Sequence, residues 1–226
     1  MDTCVADPLA AIGIFGGTFD PVHFGHLRLA EELAESIVLD QIRFIPAGQP
    51  PHRRRPQTSA AHRLAMVRLA IADNPRFDVD DRETRREAPS WTVDTLESLR
   101  AELGDQQPLY LLLGADAFLG LPGWHRWQHL FDLAHIAIAH RPGYPQTQWQ
   151  DAMTMGLREQ FEQRWAQQAD HASAAGQIVT CPITALDISA TSIRDALKHD
   201  RSPRYLLPEQ VRDYISQHHL YQPEPA

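Results

Sequence analysis

Short apolar runs alternate with stretches of helical period along this chain, and that alternation restricts it to parallel strands joined by crossover helices. Ala11 to Phe15 reads as a buried strand, and Gly16-Gly17 follows at once. From Phe24 to Leu39, Leu27, Ala30, Leu33, Ala34 and Ile37 recur at three and four residues, the spacing of a helix face. Gln41–Ile45, Phe77–Val79, Leu109–Leu113, His135–Ala139 and Ile178–Cys181 predict further strands. A helix is predicted over Ala60–Asp73, with Leu64, Val67 and Ile71 inward and Asn74-Pro75 as its stop. Thr92 is placed to cap another that runs to Leu103. Phe118 to Phe131 contains a short helix, and a terminal helix covers Pro208 to His219. Tyr144 to Gly176 is Gln- and Glu-rich, with helical spacing only around Leu157, Phe161 and Trp165. The expected fold is α/β, a doubly wound parallel sheet, with a small helical C-terminal part.

The residues of chemical interest lie just past predicted strand ends: Gly16 to Asp20, Pro46 to His52, Gly114 to Asp116, and Arg141. In an open parallel sheet that edge is where ligands bind. The first of these loops is the most informative. Gly16-Gly17-Thr18 leads through an Asp20-Pro21 turn to His23 and His26 at the start of a helix. Glycines let a ligand reach the backbone, unpaired N–H groups and the helix dipole favour an anion, and two imidazoles are potential cations. A zinc site is the weaker reading, since no further Cys or His cluster completes a ligand set. Simple capping is weaker too, because a protonated histidine at a helix start is unfavourable unless an anion is present. Asp20 is a weak candidate for a metal and a better one for shaping its turn. Farther on, Ile188-Ser189-Ala190-Thr191-Ser192-Ile193-Arg194 opens a second helix, which Ser189 or Thr191 could cap and which runs to about His199.

With 226 residues and a formal charge of −8, the chain has no basic run beyond Arg53-Arg54-Arg55. That argues against a nucleic-acid partner but not against a small anion. The two cysteines, Cys4 and Cys181, stand in no paired spacing, and no leader or membrane span is readable. A cytoplasmic protein with no membrane partner is expected.

Gly16-Gly17-Thr18-Phe19-Asp20-Pro21-Val22-His23-Phe24-Gly25-His26 resembles the signature of the nucleotidyltransferase superfamily named for its His-x-Gly-His motif, and Ile188 to Arg194 resembles that superfamily's Ile-Ser-x-Thr-x-Ile-Arg signature. Pro50-Pro51-His52-Arg53, Ser90-Trp91-Thr92, Gly114-Ala115-Asp116 and Arg141-Pro142-Gly143 extend the match toward the bacterial nicotinate-mononucleotide adenylyltransferases, over about Ile12 to Tyr221. Trp91 stands where that family has tyrosine. The resemblance implies a Rossmann-like core over 1–186 and a C-terminal subdomain over 187–226 carrying the second ATP loop. It implies adenylyl transfer from ATP to nicotinate mononucleotide, with Mg2+ accompanying ATP and no metal held by protein ligands. His23, His26 and Arg194 are then catalytic. Gly16, Gly17, Thr18, Phe19, Ile188, Ser189, Thr191 and Arg194 hold ATP. His52, Arg53, Thr92, Gly114, Asp116, Trp124, His125 and Arg141 receive the mononucleotide, with Trp124 stacked on its pyridine ring. Other implied readings are an adenylyltransferase for nicotinamide mononucleotide or another small phosphate, and a non-catalytic dinucleotide sensor. The expected state is a monomer or small homo-oligomer.

Overall fold

A computed structural model describes residues 10–50, 56–140, 149 and 151–222. Its strands are β1 (Ile12–Gly17), β2 (Gln41–Pro46), β3 (Phe77–Val79), β4 (Leu109–Gly114), β5 (His135–His140), β6 (Trp165–Ala166) and β7 (Ile178–Pro182). They form one sheet in the order β3-β2-β1-β4-β5-β7-β6. Every pairing in it is parallel. The chain winds outward one way from β1 and the other way from β4, so the strand order reverses between these two, which opens a crevice at their C-terminal ends.

Residues along each central strand alternate between two cores, as the pleat requires. Leu109, Leu111 and Leu113 of β4 and Ile136 and Ile138 of β5 point to one face. Tyr110, Leu112, Ala137 and Ala139 point to the other. Helices α1 (Phe24–Ser36) and α2 (Ala60–Ile71) cover the second face, and α3 (Thr92–Leu103), α4 (Ala115–Leu119), α5 (Leu130–Leu133) and α6 (Met155–Arg164) cover the first. The last helices, α7 (Ala190–Lys198) and α8 (Glu209–Gln217), bury Ile193, Val211 and Ile215 in the same core as α1 and α2.

Three details depart from the sequence reading. The buried face of α2 is Arg63, Met66, Val67 and Ile71 rather than one containing Leu64. Trp91, not Thr92, is the N-cap residue of α3, and Thr92 is its first helical residue. The helix near Leu157 and Phe161 stops at Arg164, and Trp165 leaves it for the edge strand β6, half-exposed. Among the described residues no helix is long and apolar enough to cross a membrane.

Candidate active site

The loop after β1 and the start of α1 form the centre of the crevice. Phe19 has a left-handed backbone (φ 49°) and is buried, its ring filling the space beside Gly17. A Cβ on Gly17 would stand 2.8 Å from that ring, so only glycine fits. Gly16 and Gly114, at the ends of β1 and β4, have nothing within 4 Å of where a Cβ would lie. These ends border open space rather than packed side chains.

His23 is the N-cap residue of α1 and His26 its third residue, and the two rings stack 3.7 Å apart. The His23 backbone N–H donates to His26 Nδ1 at 3.3 Å. With Nδ1 accepting, the proton of a neutral His26 ring sits on Nε2, which makes Nε2–H the donor. Phe19 packs edge-on against the same ring at 5.1 Å and so fixes its orientation. His23 is only 5% exposed, and its Nδ1 has no partner among the described residues. Burial pushes its pKa down to about 4. Of the two potential cations, His23 is neutral near pH 7, because nothing at this depth compensates a charge.

The second signature meets the first directly. Ser189 caps α7 by accepting from the Ser192 N–H at 3.1 Å. Thr191 accepts from Arg194 Nη2 at 3.2 Å, and Arg194 Nη1 donates to the Asp20 carbonyl at 2.7 Å. The Ile188 carbonyl lies 3.5 Å from where a Gly25 Cβ would stand, and the Phe24 N–H donates to the Leu206 carbonyl at 3.0 Å. Arg194 is thus brought from 174 residues away to the loop that carries His23 and His26. Glu32, paired with Arg28 on α1, accepts the Thr184 N–H and steadies the chain leading into Ile188.

Asp20 serves structure. Its carboxylate accepts from the Gln57 N–H at 2.8 Å, Thr58 Oγ1 at 2.8 Å and Tyr221 Oη at 2.7 Å. Sequence reasoning missed two further residues that hold the crevice together. Tyr221 lies beyond the last helix with no pattern to mark it. Arg63, although polar, is in step with Val67 and Ile71 at four-residue spacing, and that register was a readable signal.

On the β4 side, the N-cap residue of α4 is Gly114, and Asp116 lies exposed in the first turn. Trp124 follows a short 3-10 turn and is partly buried against the first-face core, as is Trp91. His125 is exposed, with its ring 4.9 Å from Trp91. Ser90 Oγ accepts from the N–H groups of Gly48 and Gln49 at 2.9 and 3.2 Å, tying the start of the Ser90-Trp91-Thr92 stretch to the loop after β2. His52, Arg53 and Arg141 lie outside the described residues.

A parallel sheet that reverses between β1 and β4, with two helix starts converging at the reversal, defines a doubly wound α/β protein whose ligand site lies at that crevice. The description cytidylyltransferase-like matches residues 14–196, and the chain belongs to that family. It falls among the nicotinate-nucleotide adenylyltransferases. A relative from Dechloromonas aromatica named "Probable nicotinate-nucleotide adenylyltransferase" is 56% identical over 93% of this chain and 97% of its own. Relatives of the same name from Pseudomonas aeruginosa and Acidithiobacillus ferrooxidans are 48% and 46% identical, each over at least 92% of this chain and 94% of their own. The solved nicotinic acid mononucleotide adenylyltransferase of Plasmodium falciparum complexed with NaAD shares the fold, with a TM-score of 0.68, 18% identity, and coverage of 94% of this chain and 97% of that one.

Proposed function

We propose that this chain transfers the adenylyl group of ATP to nicotinate mononucleotide, releasing pyrophosphate, a step in making NAD. A phosphate oxygen of the mononucleotide forms a bond to the α-phosphorus of ATP as the bond from that phosphorus to the bridging oxygen breaks in line, and pyrophosphate leaves with the electron pair. The protein forms no covalent intermediate. Its contribution is to hold two anions in register and to stabilise the charge that spreads over the transferring phosphoryl oxygens.

Under this reading the backbone from Gly16 to Phe19 cradles the triphosphate, and Ile188, Ser189 and Thr191 close over it from α7. His26 Nε2–H donates to the α-phosphate oxygen, and Arg194 meets the phosphates beyond it. His23 gains its proton only when an anion arrives beside it. Thr92, Gly114, Asp116, Trp124 and His125, with His52, Arg53 and Arg141, receive the mononucleotide across the crevice. The segment from 187 onward acts as the part that carries the second ATP loop. Mg2+ arriving with ATP would neutralise phosphate charge; Asp20 would be a poor ligand for it, since three donors already occupy its carboxylate. A cytoplasmic setting fits the substrates.

The observation that carries this reading is the 2.7 Å contact from Arg194 to Asp20, which joins the two signatures into one anion-binding edge. Purified protein supplied with ATP and Mg2+ is assayed for pyrophosphate release with nicotinate mononucleotide and, separately, with nicotinamide mononucleotide. Release with the nicotinate form at a clearly higher kcat/KM supports the proposal. Preference for the amide overturns the substrate assignment, and release with neither overturns the reaction.

A further inference from the structure

We infer that Arg63 is a positioning residue that fixes the distance between the loop after β1 and the loop after β2, and so the alignment of the two substrates. The inference rests on the function proposed above. Arg63 projects from α2 beneath both loops and is 1% exposed. Its Nη1 donates to the Thr18 carbonyl at 2.8 Å and its Nη2 to the Gly48 carbonyl at 3.0 Å. Each acceptor is a single backbone oxygen at the C-terminal end of a different strand. The planar fork of a guanidinium meets two such oxygens from two nitrogens held in fixed geometry; an ammonium is a single point on a flexible stem and fixes their spacing less tightly.

Burying the guanidinium in this way is costly. Neither hydrogen-bonded partner is a carboxylate, and Nε has no partner among the described residues. Desolvation works against the charge, opposed by the two carbonyl oxygens and by the more distant Asp20. Gly48 is gripped from its other side as well, because its N–H donates to Ser90 Oγ at 2.9 Å. A Cβ there would stand 2.2 Å from the Glu83 carbonyl, so the loop cannot shift toward Glu83. Arg63 therefore closes a chain of fixed contacts running from Thr18 through Gly48 to Ser90. In the proposed reaction Thr18 belongs to the triphosphate side, whereas Gly48 leads into the residues of the mononucleotide side. An in-line displacement tolerates little error between those sides.

The test uses the full chain with Arg63→Lys and Arg63→Gln. Initial rates are measured over both substrates, and calorimetric titration with ATP alone gives its Kd and the number of competent sites. The expected result is a kcat per ATP-binding site about 10–100-fold lower in both variants, with the ATP Kd within about threefold of the parent, since misalignment of about 1 Å alone can cost about 100-fold. A loss of stability alone would lower the number of sites and not the rate per site. Arg63→Lys with a rate per site within about twofold of the parent overturns the inference, as does a loss that follows ATP affinity alone, because the fork geometry is what the inference turns on. If Arg63→Gln does not fold, Arg63→Lys decides; if that too lacks a cooperative melt, Arg63 holds the fold itself and the inference falls. A parent chain that releases no pyrophosphate overturns the proposed function, and this inference with it; an active parent with an unimpaired lysine variant overturns the inference alone.

Discussion

At the scale of single residues, the stacked histidines make separable predictions. A fall in the His23 pKa from 6.5 to about 4 means that the unfolded chain binds a proton more readily than the folded one. Stability is therefore complete above about pH 6.5 and is lost progressively as pH falls toward 4, by up to about 3 kcal/mol from this residue. His23→Gln should flatten that slope, as read by urea melts at a series of pH values; an unchanged slope would place the acid sensitivity elsewhere. Buried His135 adds in the same direction, since its pKa is also lowered by desolvation, and its contribution remains in the variant. His26→Ala should lower turnover by about 10²–10³-fold, the scale of one preorganised donor to a transition state, while the melt stays close to the parent's. Gly25→Ala places a Cβ 3.0 Å from His23 Nδ1, so that ring must give by a few tenths of an ångström. We expect it to reduce turnover by about tenfold or more, nearer the loss from a misplaced catalytic group than from a destabilised fold.

At the scale of elements, the knot at Asp20 joins the loop after β1, the approach to α2 and the segment after α8. Tyr221→Phe removes the 2.7 Å hydrogen bond and leaves the ring packed. Loss of a buried hydrogen bond to a carboxylate should cost about 1.5–3 kcal/mol of stability, measured by thermal or denaturant melts. A change under about 0.5 kcal/mol would show the contact to be incidental. The same scale shows what the sequence made legible. Leu109 to Leu113 and His135 to Ala139 could be read because they are near-continuous apolar runs between turn residues, and Ser189 could be read as a cap from its side-chain chemistry. The two residues of β6 are too few to carry a period, so Trp165 reads as continuing the helical spacing before it. The face of α2 differs from the reading because Arg63 takes the inward position one residue before Leu64. Arg194 was legible as a cation past a cap, but its acceptor is the carbonyl of Asp20, and backbone oxygens leave no mark in a sequence.

At the scale of the whole molecule, the C-terminal helices are bound into the core beneath the crevice. Ile193, Leu207, Val211, Ile215 and Tyr221 are all buried with residues of α1, α2, β1 and β2. A chain ending at residue 186 would expose that surface together with the side chains it covers. We expect it to lack a cooperative calorimetric transition and ATP binding; a sharp melt with intact binding would show that the first 186 residues fold alone. The outer margins of the sheet have a consequence of their own. The flanking strands are three and two residues long, against six for β1, β2, β4 and β5. A stranger's backbone seeking to extend the ladder would find only a few peptide groups on either side, too few to zip onto, so the protein can be abundant without its copies knitting together into ribbons.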